Sequence, residues 1–205
     1  MKRLSVFYAL LFSALLFFAA SPAWALEAAE AQKLKTLFEH YLDRQARDLG
    51  EHGELVRDGE VMVEMADSFY AVTLPHLTVK NQDGTSTEIG IIAINAVPAE
   101  DPELWKMSVA LPTPITVYDK DGKPGLVIHT GKQNAAGVWH EKLANFVKLN
   151  AQYQDIFVTG QDGKLQITLP EAQVTYGLEK DADGLWSGPL VFSFKGFDMK
   201  TPNGA

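Results

Sequence analysis

Apolar residues along this chain follow first one period and then another. Leu34, Leu37, Phe38, Tyr41, Leu42 and Leu49 fall close to the i, i+3, i+4, i+7 spacing that puts side chains on one stripe of a helix. Lys33, Lys35, Glu39, Asp43, Arg44 and Arg47 take the opposite face, and Gly50 supplies a stop. The spacing predicts a helix over about 28–49 with loop to residue 53. Such a stripe packs on a sheet or covers a hydrophobic groove, and packing is the commoner use.

Beyond residue 54 the period shortens to two. Val61, Val63 and Met65 alternate with polar neighbours, as do Tyr70, Val72 and Leu74, then Trp105, Met107, Val109 and Leu111. Leu165, Ile167 and Leu169 repeat the pattern, followed by Val174, Tyr176 and Leu178. Residues 89–97 are apolar and β-branched, which suits one more central strand. Asp-Gly or Asx-rich steps at 81–84, 119–122, 161–163 and 181–184 separate these runs, and such steps mark hairpins. Residues 140–147 fit a short helix as well as a strand; the alternation of Val147, Leu149, Ala151 and Tyr153 favours a strand from about Asn145.

Leu-Pro steps at Leu74-Pro75, Leu111-Pro112 and Leu169-Pro170 each end an alternating run, and Trp105, Trp139 and Trp186 each open a segment. Their unequal spacing excludes a solenoid of fixed coils. The expected fold is mainly β with one N-terminal α-helix. It is a single domain over residues 26–205 whose antiparallel sheet or meander curves towards a half-barrel under the helix, with about seven to ten strands. Residues 190–199 read as a last strand and 201–205 as turn-like, so the sheet either ends there at an edge or belongs to the first portion of a longer protein.

The first 25 residues stand outside this pattern. Lys2 and Arg3 precede an apolar run to Ala20, Pro22 breaks it, and Ala23-Trp24-Ala25 offers the small-x-small site of a signal peptidase. A cleaved export signal is favoured over an uncleaved anchor, and no later segment approaches membrane length. The chain has no cysteine, which excludes disulfides and lipoprotein attachment. The expected destination is a Gram-negative periplasm. Of 18 basic residues the signal removes Lys2 and Arg3, leaving 16 against 26 acidic, a balance of −10. A surface this acidic disfavours nucleic acid.

Catalytic chemistry finds little footing. There is no Gly-x-Ser-x-Gly elbow, and Ser187 sits in turn-like sequence. His40, His52, His76, His129 and His140 lack metal-ligand spacing. Residues 179–184 resemble the first half of a calcium loop, but Leu190 stands where the bidentate Glu belongs, so a hairpin turn is favoured. Glu100, Asp101 and Glu103 cluster in a loop without assigning a hydrolase. No catalytic residue, metal or cofactor is expected.

Aromatic residues carry what remains. Trp105, Trp139, Trp186, Phe192 and Phe194 either fill the core, the default for aromatics, or line a concave apolar surface for a greasy ligand. In layout, though not in particular residues, the chain resembles periplasmic lipoprotein carriers and AsmA-like envelope proteins. The leading expectation is a non-enzymatic envelope protein that binds or carries a lipid-like ligand. Next comes an interaction module pairing with envelope proteins, and last a hydrolase of envelope carbohydrate.

Overall fold

The computed structural model describes residues 27–161 and 163–201; the export signal read over 1–25 lies outside them. Helix α1 (Ala28–Leu49) is followed by a single 3-10 turn, Gly50–His52, as the apolar stripe and Gly50 predict. It buries Leu34, Phe38 and Leu42. No side chain caps its start; the hydroxyl of buried Tyr70 accepts from the Glu27 N–H at 2.7 Å and donates to the Glu27 carbonyl at 3.1 Å, rooting the first turn in the core. No helix of the described residues is long and apolar enough to cross a membrane.

Fifteen strands follow among the described residues, more than the roughly seven to ten expected, because many are short. They are β1 (Gly53–Asp58), β2 (Met62–Met65), β3 (Tyr70–Thr73), β4 (His76–Asn81), β5 (Ser86–Gly90), β6 (Ala93–Pro98), β7 (Leu104–Ala110) and β8 (Ile115–Tyr118). Three long strands come next, β9 (Pro124–His140), β10 (Asn145–Gly160) and β11 (Gln166–Gly177), then β12 (Glu179–Lys180), β13 (Trp186–Ser187), β14 (Leu190–Lys195) and β15 (Asp198–Lys200). All pairing is antiparallel, and all but the β12–β13 hairpin join one sheet. Each predicted Asp-Gly or Asx-rich step turns a hairpin, with Gly84, Gly122, Gly163 and Gly184 at φ from +70° to +87°.

Strand β9 organises the sheet because it is long enough to hold two neighbours on one edge. Its first half pairs with β8 and its second half with β7, while β10 runs along its other edge. One arm runs β8-β5-β4-β1 and the other β7-β6-β3-β2. The outermost strands β1 and β2 are consecutive in the chain, and α1 packs on both and on β3. The helix therefore bridges the gap between the two arms, and the sheet is not closed into a barrel.

The chain reaches this layout by shuttling between arms, so a plain meander holds only from β8 to β11. The run expected as one strand over 89–97 divides for this reason. Gly90 (φ +90°), packed on Pro112, ends β5 in one arm, and β6 starts the next strand in the other. Pro75 and Pro112 fall between strands as expected, whereas Pro170 lies within β11. It stands in register with Asp155 (φ +54°), which faces Gly131 on the next strand, and with Gly196 beyond β14. These four residues form a crease across the sheet where the ladder is interrupted and no proline N–H is needed.

Candidate functional site

Register decides which side chains share a face, and here it lines up apolar residues over eight strands. One row reads Val63, Val72, Ile94, Val109, Ala135, Ala151, Val174 and Phe192, each directly opposite the next. The row beside it reads Met65, Tyr70, Ala96, Met107, Gly137, Leu149, Tyr176 and Leu190. Towards the β9–β10 turn Trp105, Trp139 and Phe146 continue the face; towards the crease it holds Gln133, Tyr153, Ala172 and Phe194. The alternate positions are mostly polar: Asn134, Gln152, Gln173 and Ser193 form one row, Lys132, Gln154, Glu171 and Lys195 another, and Ala136, Asn150, Thr175 and Val191 a mixed third. Up to the crease the sheet thus has an apolar inner face and a mainly polar outer one; beyond it Ile128, Val158, Ile167 and Met199 form a further apolar row.

Helix α1 covers only the first part of the inner face. Its Leu34, Phe38 and Leu42 close a core with Tyr70, Val72, Ile94, Ala96, Met107 and the two tryptophans. Trp105 is 1 % exposed; it meets Tyr70 edge-on at 6.0 Å and donates from Nε1 to Glu141 at 2.6 Å. Trp139, also buried, touches Phe38, Tyr41 and Phe146 at centroid distances of 6.2, 5.4 and 5.1 Å. Both tryptophans are engaged in packing the helix onto the sheet.

Past the helix the same rows run on over β10, β11 and β14. Small buried residues, Ala135, Ala151 and Ala172, form a floor. Leu149, Tyr153, Val174 and Tyr176 stand half-buried around it. The face ends on β14 with Leu190, Phe192 and Phe194 exposed by 69, 61 and 57 %, the two phenylalanine rings 6.0 Å apart. Phe197 and Met199 are exposed as well, beyond the crease, where Met199 stands opposite Ile167 on β11. Burial pushes the Tyr41, Tyr153 and Tyr176 hydroxyls above the ordinary tyrosine range, partly offset at Tyr41 by the charge of Arg44. They remain neutral hydrogen-bonding groups on an apolar surface.

The five aromatics singled out by sequence therefore occupy three places. Trp105 and Trp139 lie side by side in the helix-covered core, Phe192 and Phe194 together on the open edge strand, and Trp186 apart on the β12–β13 hairpin. There the Trp186 ring is half-buried and meets the His140 ring edge-on at 5.3 Å. Leu149, Tyr153, Val174 and Tyr176 were visible in sequence only as strand alternation, and Ala172 not at all; assigning them to one surface with Phe192 requires the pairing register.

Other polar clusters are engaged in local structure. In the calcium-like loop Asp181 accepts from the Asp183 and Leu185 N–H groups at 3.0 and 2.8 Å, closing its own hairpin. Asp101 caps Glu103, and Glu103 in turn pairs with Lys142. Glu88 accepts from the Tyr118 hydroxyl at 2.7 Å and meets His76 at 3.1 Å; the tyrosine bond first, then His76, holds its carboxyl below the ordinary glutamate range. Among the described residues no three His, Asp or Glu side chains converge as a metal cage.

No family model, characterised protein or solved structure matches this chain. Its functional reading rests on the inner face alone.

Proposed function

We propose that this is a non-enzymatic protein of the cell envelope that binds a hydrophobic, lipid-like ligand along the uncovered part of its inner face. One observation supports the reading: apolar rows that the helix seals over β2, β3, β6 and β7 continue without a break onto β10, β11 and β14, beyond the helix-covered core, and end in exposed Leu190, Phe192 and Phe194. Isolated exposed leucines are ordinary, but a continuous apolar face ending in two adjacent phenylalanines marks a contact surface. Covering Leu190, Phe192 and Phe194 is worth on the order of 5 kcal/mol. Half-buried tyrosines flank the alanine floor, and their hydroxyls would offer an acyl chain lying on it a few polar anchors.

Native mass spectrometry of protein purified from the envelope fraction tests this, together with titration of the fluorescent apolar probe N-phenyl-1-naphthylamine. The reading expects co-purifying lipid and saturable probe binding that weakens at least about tenfold in the Phe192→Ser/Phe194→Ser double variant, as loss of two buried aromatics implies. Lipid-free protein that leaves the probe dark contradicts it.

A second reading has its own support. Among the described residues strand β14 pairs only with β11, so its outer edge presents backbone donors and acceptors that a lipid cannot satisfy but an added strand can. A stoichiometric complex with an envelope protein, formed by lipid-free material and lost on substituting the β14 edge, favours that interaction module.

A further inference from the structure

Where the helix leaves the inner face, its C-terminal half and the β9–β10 turn enclose a groove of about 530 Å³. Its charges are unevenly committed. Of the acids lining it, Asp43 pairs with Arg57 at 2.8 Å, while Glu141 pairs with Lys33 at 2.7 Å and accepts from Trp105. The basic groups are differently placed. Arg44 donates to the Leu143 and Ala144 carbonyls at 3.3 and 3.1 Å, which positions the guanidinium but leaves its charge uncancelled. Its buried Nε has no partner. Arg47, one turn along, is exposed, and among the described residues neither arginine pairs with a carboxylate. In a chain this rich in acid, two arginines without a carboxylate partner in one groove form a local positive site.

The groove also adjoins the ligand surface. Tyr41 lines it beside Arg44 and packs edge-on against Trp139, whose strand partner Phe146 starts the inner-face side chains of β10 that run on to Leu149 and, opposite it, Tyr176. An amphiphile lying on the floor of Ala151 and Ala172 and passing Tyr176 would have one end directed towards this groove.

We propose that the groove holds the anionic headgroup of the ligand, a carboxylate or phosphate, through Arg44 and Arg47, making the ligand an acidic amphiphile. The assignment rests on the hydrophobic-ligand reading and narrows it. Guanidinium suits both anions because its planar donors match two oxygens at once.

Dodecanoate, dodecyl phosphate and dodecanol, equal in chain length, are titrated against bound N-phenyl-1-naphthylamine on the purified protein. Both acids should displace the probe at about tenfold lower concentration than the alcohol. The stronger acid then identifies the headgroup class. Arg44 also holds the helix to the turn, so the variants are made at exposed Arg47. Arg47→Gln should cut the acid-to-alcohol preference several-fold, Arg47→Glu should abolish it, and added salt should weaken it in the wild type. Equal displacement by acids and alcohol, or a preference that survives Arg47→Glu, overturns the headgroup site while the hydrophobic ligand stands. A probe that never binds overturns both.

Discussion

The two halves of the inner face share one pattern and meet different fates. Over β2, β3, β6 and β7 the apolar rows meet Leu34, Phe38 and Leu42 of the helix, and large residues interlock there. Over β10, β11 and β14, beyond the helix-covered core, the rows turn to small buried alanines, half-buried tyrosines and exposed phenylalanines. A sheet that needed only a stable core would make its uncovered face polar, as this one does on its outer side. Keeping the distal half apolar is costly in water unless something binds there. On the proposed function one half serves stability and the other contact, and substitutions should separate the two roles.

The largest effect belongs in the covered half. Trp139→Ala should cost about 3–5 kcal/mol of stability, because the cavity opens between Phe38, Tyr41 and Phe146 where neighbours cannot collapse. Chemical denaturation measures this directly; a loss below about 1 kcal/mol would mean the covered half is not the stabilising one.

That role for Trp139 was only half legible in sequence. The helix, the hairpin steps, the strand from Asn145 and the antiparallel class followed from period and turn chemistry, which are local. The division of residues 89–97 between two arms did not, since nothing local says that Gly90 must leave one arm for the other. The five aromatics looked equivalent in sequence because each begins or occupies an alternating run. Only register places Trp139 beneath the helix and Phe192 four strands from Val109 along the same row. Tyr41, Arg44 and Arg47 were assigned to the stripe and polar face of a helix, with no sign that they meet the end of another surface.

Filling the floor of the open half should be next in size. Ala151→Leu places a larger side chain among Ala135, Val174 and their neighbours, costing about 1–3 kcal/mol. It should also block the probe. Unaltered probe affinity in a folded Ala151→Leu protein would move the ligand off this floor.

The Phe192→Ser/Phe194→Ser pair gives the sharpest contrast with Trp139. Both rings are more than half exposed, so stability should stay within about 1 kcal/mol of wild type while probe binding falls. Thermal unfolding beside the titration reads both. A large stability loss without change in binding would reverse the assignment of roles.

Acid should produce the smallest difference. Glu171 is held below the ordinary value of 4.5 chiefly by its bond to Lys195, which ties β11 to β14, and Glu88 chiefly by Tyr118 in the other arm. A carboxylate whose folded pKa is depressed stabilises above its unfolded value, and that contribution is lost as pH falls through the lower folded one. Both ties should weaken only below about pH 4.5. Amide protection factors, taken relative to the intrinsic exchange rate at each pH, should then fall on β14 before they fall in the helix-covered strands. Protection on β14 that stays constant or increases as pH falls below about 4.5 would contradict the sign.

The central claim is that the distal inner face holds the ligand. Photo-crosslinking with a diazirine-bearing fatty acid, followed by peptide mapping, reads the contact surface itself. Adducts should concentrate on residues 149–153, 172–176 and 190–194 and disappear in the presence of excess dodecanoate. Adducts spread over the polar outer face, or none that excess dodecanoate displaces, would contradict the account.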